Sequence, residues 1–140
     1  WHDLTAGLFE AQDRGADNVV LLDLDGNLTE GPGFNAFCVE NGTVLTPARG
    51  VLDGITRRTV IELCASLGIP CEETEIPVAR FLAADEVFIT STAGGVMSAT
   101  RVESHILGNG APGPITGQLD DAYRALHCDE RYLTPVPYDD

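Results

Sequence analysis

The sequence lacks lysine: along its 140 residues, all eight basic side chains are arginines. A chain without lysine has no side-chain amine that could form a Schiff base, hold a phosphate in a P-loop or act as a desolvated base. An arginine is no substitute as a base, because it stays protonated. These three kinds of chemistry are therefore excluded for the sequence as it stands.

Positive charge and long apolar runs are also scarce. Aspartate and glutamate total 22, which gives a formal net charge of -14 at pH 7. Affinity for nucleic acids comes largely from cationic groups that neutralise phosphates, so no nucleic-acid partner is expected. No apolar run approaches the roughly 20 residues that span a bilayer, and the first residues do not resemble a signal peptide. We therefore expect a cytoplasmic protein without a membrane partner.

Cysteine is rare, and its spacing fits neither a disulfide framework nor a metal site. No C-x-x-C pair occurs among the four cysteines, which are Cys38, Cys64, Cys71 and Cys128. We therefore expect buried free thiols and no metal centre. The three histidines are expected to lie on the surface or to pack against other residues, and not to bind a ligand: His2, His105 and His127.

The length suits one domain, and a hydrophobic content of 44% is enough for a core. Apolar periodicity predicts helices over 2–14 and 56–67, a helical turn over 78–84 and a helix that begins at Pro114. Apolar runs bounded by turn residues predict strands over 19–22, 35–40, 43–47, 74–76, 86–90 and 100–107. Because Asp25-Gly26 and Asn41-Gly42 are tight-turn signals, the strands are expected to form antiparallel hairpins.

Two glycine-containing segments are candidate ligand sites. Asp53-Gly54-Ile55-Thr56 puts small residues and free N–H groups at the start of a helix, where a phosphate binds well. The alternative is that Asp53 or Thr56 caps the helix and nothing binds. The segment from Ser91 to Gly95 combines hydroxyls with paired glycines, which let the backbone approach a ligand closely. An unoccupied loop with positive φ angles would have the same composition.

An acidic turn lies near the N-terminus, where the run from Val20 to Thr29 is an apolar strand followed by D-x-D-G. This run resembles the first motif of the haloacid-dehalogenase-type phosphatases. In that family the first aspartate, here Asp23, is the nucleophile, and the second, here Asp25, is the general acid beside Mg²⁺. The family also requires a later basic residue on the phosphoryl group and a paired acidic motif after a strand. Lysine is absent and Asp120-Asp121 lies in a helical pattern, so the Mg²⁺-dependent phosphatase is kept only as an alternative.

A second resemblance covers nearly the whole chain. It rests on five blocks: Thr29 to Asn35, Asn41 to Pro47, Gly50 to Arg57, Ala84 to Phe88 and Thr92 to Gly95. Their order and spacing resemble those of the class IV, fold type IV pyridoxal-phosphate aminotransferases. The chain is thus similar to the C-terminal part of this family, which includes branched-chain and D-amino-acid aminotransferases and aminodeoxychorismate lyase. Three stretches, 8–16, 33–35 and 113–116, most resemble the (R)-selective amine transaminases.

The resemblance implies the fold and the reaction. Residues 1–140 are expected to form the C-terminal cofactor-binding domain, an α/β (α+β) unit with a strongly bent, antiparallel-rich sheet and flanking helices. The expected cofactor is pyridoxal 5'-phosphate, and the expected reaction is transamination of an amine or amino acid with a keto acid. A homodimer is implied for the intact enzyme, because the family's site lies between two domains and near a subunit interface.

The resemblance also implies individual site residues. Glu30 matches the carboxylate that hydrogen-bonds the pyridine nitrogen, and Leu52 matches the apolar residue against the ring face. Ile55 and Thr56 match the backbone N–H groups and one hydroxyl that hold the phosphate, and Thr92 matches a second phosphate hydroxyl. An anion at Glu30 keeps the ring nitrogen protonated, so that the ring can accept electrons.

No catalytic residue is expected within this chain. The family's Schiff-base lysine precedes the equivalent of Trp1 by a few residues, and its N-terminal domain lies earlier still, so the resemblance implies an inactive fragment. Ser91 and Ala93 are expected to border the substrate. Two alternatives stay open: a lyase similar to aminodeoxychorismate lyase, and a lysine-free domain that binds pyridoxal phosphate without catalysis.

Overall fold

The computed structural model describes residues 2–136, which contain four α-helices, eight strands and one 3₁₀ turn. In chain order the elements are α1 (His2–Asp13), β1 (Glu30–Gly31), β2 (Phe34–Glu40), β3 (Thr43–Pro47), α2 (Ile55–Leu67), β4 (Cys71–Thr74), α3 (Val78–Leu82), β5 (Glu86–Ser91), β6 (Gly95–Ala99), β7 (Arg101–Val102), β8 (His105–Ile106), α4 (Pro114–Leu126) and the 3₁₀ turn (Glu130–Tyr132). None of these helices is long and apolar enough to cross a membrane.

Six strands form one mixed sheet in the order β4-β3-β2-β5-β6, with β1 paired to the start of β2. The β2–β3 turn at Asn41 and Gly42 has φ angles of 49° and 80°, the left-handed conformation that a tight hairpin requires. Of the pairs in this sheet, only β3 and β4 run parallel, because the chain crosses through α2 between them. The predicted antiparallel-rich sheet is confirmed, with this one parallel pair added.

The sheet separates two apolar clusters. On β2, Ala36 and Cys38 enter one cluster while Phe37 and Val39 enter the other, as expected for side chains that alternate between faces. The rings of Phe37 and Phe88 stack in the second cluster with their centroids 4.7 Å apart. Helices α2 and α4 cover that cluster with the buried residues Val60, Cys64 and Leu119. This packing holds α2 against the face formed by β2 and β5.

Two predicted strands were wrong. Residues 19–22 form no strand: Leu22 makes a single bridge to Leu28 across the turn that the Asp23 side chain shapes. The pairing continues only to Leu21, whose backbone hydrogen-bonds to Thr29 and Glu30. The strand predicted over 74–76 lies earlier, at β4, where parallel pairing with β3 selects Cys71–Thr74. Ile76 packs in the first cluster instead.

The predicted helices are confirmed to within two residues. The strand predicted over 100–107 is instead divided into two short strands, β7 and β8. β7 and β8 form a separate short hairpin whose turn includes Glu103 at a φ of 51°. β6 was missed, because Val96-Met97 is too short an apolar run to predict a strand and the conformation of β6 comes from pairing with β5.

The cysteines agree only in part with the expectation of buried thiols. Cys38 and Cys64 are buried, Cys71 is half-buried, and all four cysteines are free. Burial raises the pKa of Cys38 to about 12. The expectation was wrong for Cys128, which is exposed just beyond the end of α4. All three histidines are exposed, as expected: His2, His105 and His127.

Candidate functional site

Glu30 is held by two donors at the start of the sheet. Its Oε2 accepts a 2.7 Å hydrogen bond from the backbone N–H of Leu52 and a 3.1 Å bond from Nδ2 of Asn35. Asn35 Nδ2 also donates to the Leu52 carbonyl oxygen at 2.9 Å. The network joins the β1–β2 hairpin to the loop before α2. The Leu52 side chain, 70% exposed, is left free to contact a ligand.

Helix α2 begins without a capping side chain. Its N-cap is Gly54, and within residues 2–136 no side chain accepts a hydrogen bond there. The idea that Asp53 or Thr56 caps the helix was wrong; Oδ1 of Asp53 lies 3.8 Å from Nη1 of Arg57 instead. The first-turn N–H groups of Ile55 and Thr56 are therefore available to an anion, which the positive end of the helix dipole attracts.

Arg57 anchors this start of α2 against the sheet. Its side chain is buried; Nη2 donates to the Pro47 carbonyl oxygen at 2.9 Å and to Glu73 Oε2 at 2.6 Å. Nε donates to Thr46 Oγ1 at 3.3 Å. Sequence reasoning missed this role, because the parallel pairing of β3 and β4 brings the acceptors together.

The β5–β6 turn carries the three remaining predicted residues. Oγ of Ser91 accepts a 3.0 Å hydrogen bond from the backbone N–H of Gly94, so this hydroxyl shapes the turn. Thr92 and Ala93 are exposed beyond it. A ligand could reach both side chains without moving a buried group.

The sheet register places this turn at the same end of the sheet as Glu30. Glu30 pairs with Asn35, and Asn35 pairs with Thr90 near the end of β5. Within residues 2–136 no hydrogen bond joins Thr92 to the Glu30 network, so a ligand shared by the two remains a prediction. Thr90, which sequence reasoning missed, is 1% exposed, and its hydroxyl has no partner in the described part of the chain.

Of the predicted cofactor residues, Leu52, Ile55 and Thr92 are exposed, Glu30 is half-buried and Thr56 is buried, at 5% exposed. One cavity of about 440 Å³ lies beside α2 and β4, and another of about 1310 Å³ lies between α1 and the β5–β6 hairpin. The linings of these two cavities include none of the five predicted cofactor residues: Glu30, Leu52, Ile55, Thr56 and Thr92. Ile55, like Leu52, is mostly exposed, at 72%.

The acidic turn that resembles a phosphatase motif has a structural role. Oδ1 of Asp23 accepts hydrogen bonds from the backbone N–H groups of Asn27 at 2.8 Å and Asp25 at 3.0 Å. The bond from Asn27 is the main reason that the pKa of Asp23 lies below its ordinary value. Within the described ranges no three side chains of metal-binding type come together. This arrangement gives the phosphatase alternative no support.

Residues 3–102, which contain Glu30, the start of α2 and the β5–β6 turn, match the family model described as amino-transferase class IV. The chain belongs to the class IV aminotransferase family. It is 39% identical over 120 residues to a probable branched-chain-amino-acid aminotransferase of Thermotoga maritima, covering 83% of this chain and 44% of that protein. It is 37% identical over 115 residues to the D-alanine aminotransferase of Bacillus licheniformis, covering 81% of this chain and 40% of that protein.

Solved class IV aminotransferase structures confirm the predicted α/β fold. The branched-chain amino acid aminotransferase of Thermobaculum terrenum, in its PLP form, matches with a TM-score of 0.88 and 35% identity over 94% of this chain and 44% of that chain. The branched-chain aminotransferase of Thermoproteus uzoniensis with norvaline matches with a TM-score of 0.84 and 36% identity, over 92% of this chain and 44% of that chain. The chain spans less than half the length of these relatives.

Proposed function

We propose that this chain is the cofactor-binding part of an enzyme that uses pyridoxal 5'-phosphate to transfer an amino group from an amine or amino acid to a keto acid. The observation that carries the proposal is the 2.7 Å bond from Leu52 N–H to Glu30, which joins a held anion to the loop entering an uncapped helix. Relatives named branched-chain and D-alanine aminotransferases support it.

The residues present fit the cofactor at three places. The Glu30 carboxylate fits a protonated ring nitrogen, and the exposed Leu52 side chain fits the ring face. The first-turn N–H groups of Ile55 and Thr56 fit the phosphate, and the exposed Thr92 adds a hydroxyl. When bound, pyridoxal phosphate supplies an electron-accepting ring that stabilises negative charge on the substrate carbon.

Each of these groups has a separate task. The Glu30 anion favours the protonated ring nitrogen, and the bonds to its Oε2 restrain the carboxylate in place. The positive end of α2 offsets the phosphate charge in a chain that has no lysine to do so. Ser91 and Ala93 border the substrate in this scheme, and Ser91 can still donate its hydroxyl hydrogen because its oxygen is the atom used by Gly94.

Moving a proton between substrate and cofactor requires a base that these side chains do not include. We place the required lysine in a part of the enzyme outside this sequence, since the chain spans 44% of the Thermotoga relative. The chain by itself then binds cofactor and does not transaminate. A homodimeric enzyme in the cytoplasm belongs to the same proposal.

A lysine-free domain that binds pyridoxal phosphate without catalysis is the second candidate. The absence of lysine from all 140 residues is the observation that favours it. Both candidates use the same cofactor residues, so binding tests the feature they share and the position of a lysine distinguishes them.

Binding of pyridoxamine 5'-phosphate tests the shared feature. This form of the cofactor has no aldehyde and cannot react with the N-terminal amine, so calorimetric titration reports noncovalent binding alone. We expect weak, saturable binding to the unchanged chain. Thr56→Ala removes the hydroxyl that the family resemblance places on the phosphate, and Glu30→Gln removes the charge that favours the protonated ring nitrogen, so each should weaken binding at least about tenfold.

Ser66→Ala is the matched control for these variants. Ser66 is exposed near the other end of α2, and its hydroxyl donates only to the Leu63 carbonyl oxygen, at 2.9 Å. Absence of binding by the unchanged chain, or equal affinity in all four proteins, overturns the cofactor proposal. If binding is found, a lysine encoded within a few residues upstream of Trp1 supports the transaminase, and its absence leaves the noncatalytic domain.

A further inference from the structure

We propose that Asn35 is a positioning residue, whose amide determines which oxygen of Glu30 meets the cofactor's ring nitrogen and ties that carboxylate to the phosphate-binding loop. The inference rests on the cofactor role proposed above. Asn35 touches neither substrate nor cofactor in this scheme; it acts through Glu30 and Leu52.

Both amide hydrogens of Asn35 are used. Nδ2 lies 3.1 Å from Glu30 Oε2 and 2.9 Å from the Leu52 carbonyl oxygen. A carboxylate and a carbonyl only accept hydrogen bonds, so the NH₂ end of the amide must face them. If the amide were flipped, Oδ1 of Asn35 would face these two acceptor oxygens and neither hydrogen bond could form. The chemistry of the two acceptors therefore determines the orientation of the side chain.

The amide has little room to move. Asn35 is 5% exposed, and its backbone pairs with Glu30 on one side and with Thr90 on the other. Its Oδ1 faces Gly54, where an added Cβ would lie 2.3 Å away. The close approach explains why the N-cap of α2 is a glycine. Asn35 is thus held in place before any ligand arrives.

The hydrogen bonds to Glu30 leave one of its oxygens available. Oε2 accepts from both Leu52 N–H and Asn35 Nδ2, whereas Oε1 accepts from no group in the described part of the chain. The structure assigns Oε1 as the acceptor for the ring N–H. Without Asn35 only the bond from Leu52 remains, and the carboxylate can rotate away from the ring nitrogen.

The same amide orders the phosphate end of the site. The Leu52 carbonyl oxygen accepts from Asn35 and, at 2.8 Å, from the backbone N–H of Gly54, while Leu52 N–H donates to Glu30. Both backbone polar groups of Leu52 are therefore occupied three residues before α2 begins at Ile55. One side chain sets the spacing between the nitrogen-binding and phosphate-binding groups, which preorganises the site for a rigid ligand.

Variants of Asn35 test the assignment with pyridoxamine 5'-phosphate labelled with ¹⁵N in the ring. Asn35→Leu removes both donors without adding charge, and Asn35→Ser, which is smaller and cannot overpack, retains at most one. Calorimetry gives the affinity, and the ¹⁵N chemical shift followed with pH gives the pKa of the bound ring nitrogen. We expect at least about tenfold weaker binding for both variants. The ring-nitrogen pKa should be raised in the unchanged chain and should fall towards that of the free ligand in the variants.

Val44→Ala controls for a general loss of stability, because Val44 is fully buried in the second cluster and far along the sheet from the ring-nitrogen site. It should lower the Tm but leave the affinity and ring-nitrogen titration unchanged. Folded Asn35 variants with the affinity and titration of the unchanged chain overturn this assignment alone. An unchanged chain that binds no pyridoxamine phosphate overturns the cofactor proposal, and this assignment with it.

Discussion

Two buried threonines of the sheet, Thr46 and Thr90, differ in the hydrogen bonds that their hydroxyls make. Oγ1 of Thr46 donates to the Ala36 carbonyl oxygen at 3.1 Å and accepts from Arg57 Nε at 3.3 Å. The hydroxyl of Thr90 has no partner within residues 2–136. A buried hydroxyl without a partner loses its hydration and gains no bond in return, which costs about 1–3 kcal/mol.

Substitution by valine separates these two cases. Thr90→Val is expected to raise the free energy of unfolding of the ligand-free chain by about 1 kcal/mol, because a methyl group replaces an unsatisfied hydroxyl. Thr46→Val should lower it by about 1–3 kcal/mol, because it leaves buried partners unpaired. Urea unfolding followed by circular dichroism measures both. A similar loss in the two variants would show that the Thr90 hydroxyl is satisfied in solution.

Helices α2 and α4 both begin after a glycine N-cap, and only α4 is capped by another element. The Glu86 carboxylate, from β5, accepts hydrogen bonds from Ile115 N at 3.1 Å, Thr116 N at 2.8 Å and Thr116 Oγ1 at 2.7 Å. A Cβ on Gly113 would lie 2.0 Å from Glu86 Cδ, so the glycine makes room for this acid. At α2 the Oδ1 of Asn35 lies beside Gly54, but in the described part of the chain no side chain accepts a hydrogen bond from the start of the helix. The contrast supports an external anion at α2.

Removal of the Glu86 carboxylate should loosen α4. Glu86→Ala is expected to lower the free energy of unfolding by about 2–3 kcal/mol, because two N–H groups and a hydroxyl lose their acceptor. Glu86→Gln should lower it by about 1 kcal/mol, since an amide oxygen still accepts but carries no charge for the helix dipole. Glu62→Ala, on the exposed face of α2, controls for loss of a carboxylate. Equal stability of the two alanine variants in urea unfolding would contradict the capping role.

The charge of -14 is distributed unevenly between paired and unpaired groups. Seven of the eight arginines lie within 4.0 Å of a carboxylate in the described part of the chain. Most acidic side chains there have no such partner. Exposed ion pairs contribute little, so repulsion among the remaining carboxylates dominates the electrostatics of the whole molecule.

Added salt is therefore expected to stabilise the chain. Raising sodium chloride from about 0.05 to about 0.5 M at pH 7 shortens the Debye length to a few ångströms and should raise the stability by about 1 kcal/mol, or a few degrees in Tm. Differential scanning calorimetry measures the change. Near the pI of about 4.3 the gain should largely disappear, because the net charge approaches zero. A Tm that falls with salt at pH 7 would mean that ion pairs dominate.

Local signals were sufficient for most helices and hairpins. Asn41-Gly42 predicted the β2–β3 turn, Pro114 the start of α4, and apolar periodicity the helix over 56–67, which ends at the C-cap Gly68 with a φ of 70°. Each signal depends on the backbone of a few neighbouring residues. β4 and β6 were misplaced or missed, because a short strand takes its conformation from a partner that is distant in the chain.

The amino-acid sequence was enough to exclude lysine chemistry. It also showed the motifs, containing Glu30, Leu52 and Thr56, by which the chain resembles the class IV aminotransferases. Three-dimensional packing was needed to find that Asn35 connects Glu30 to Leu52, a contact across 17 residues of chain, and that Arg57 anchors the start of α2. Composition and local motifs can be read directly from the amino-acid order. A bond between residues that are distant in the chain depends on strand register and on how the helices pack. Those are properties of the folded chain, which no local pattern encodes.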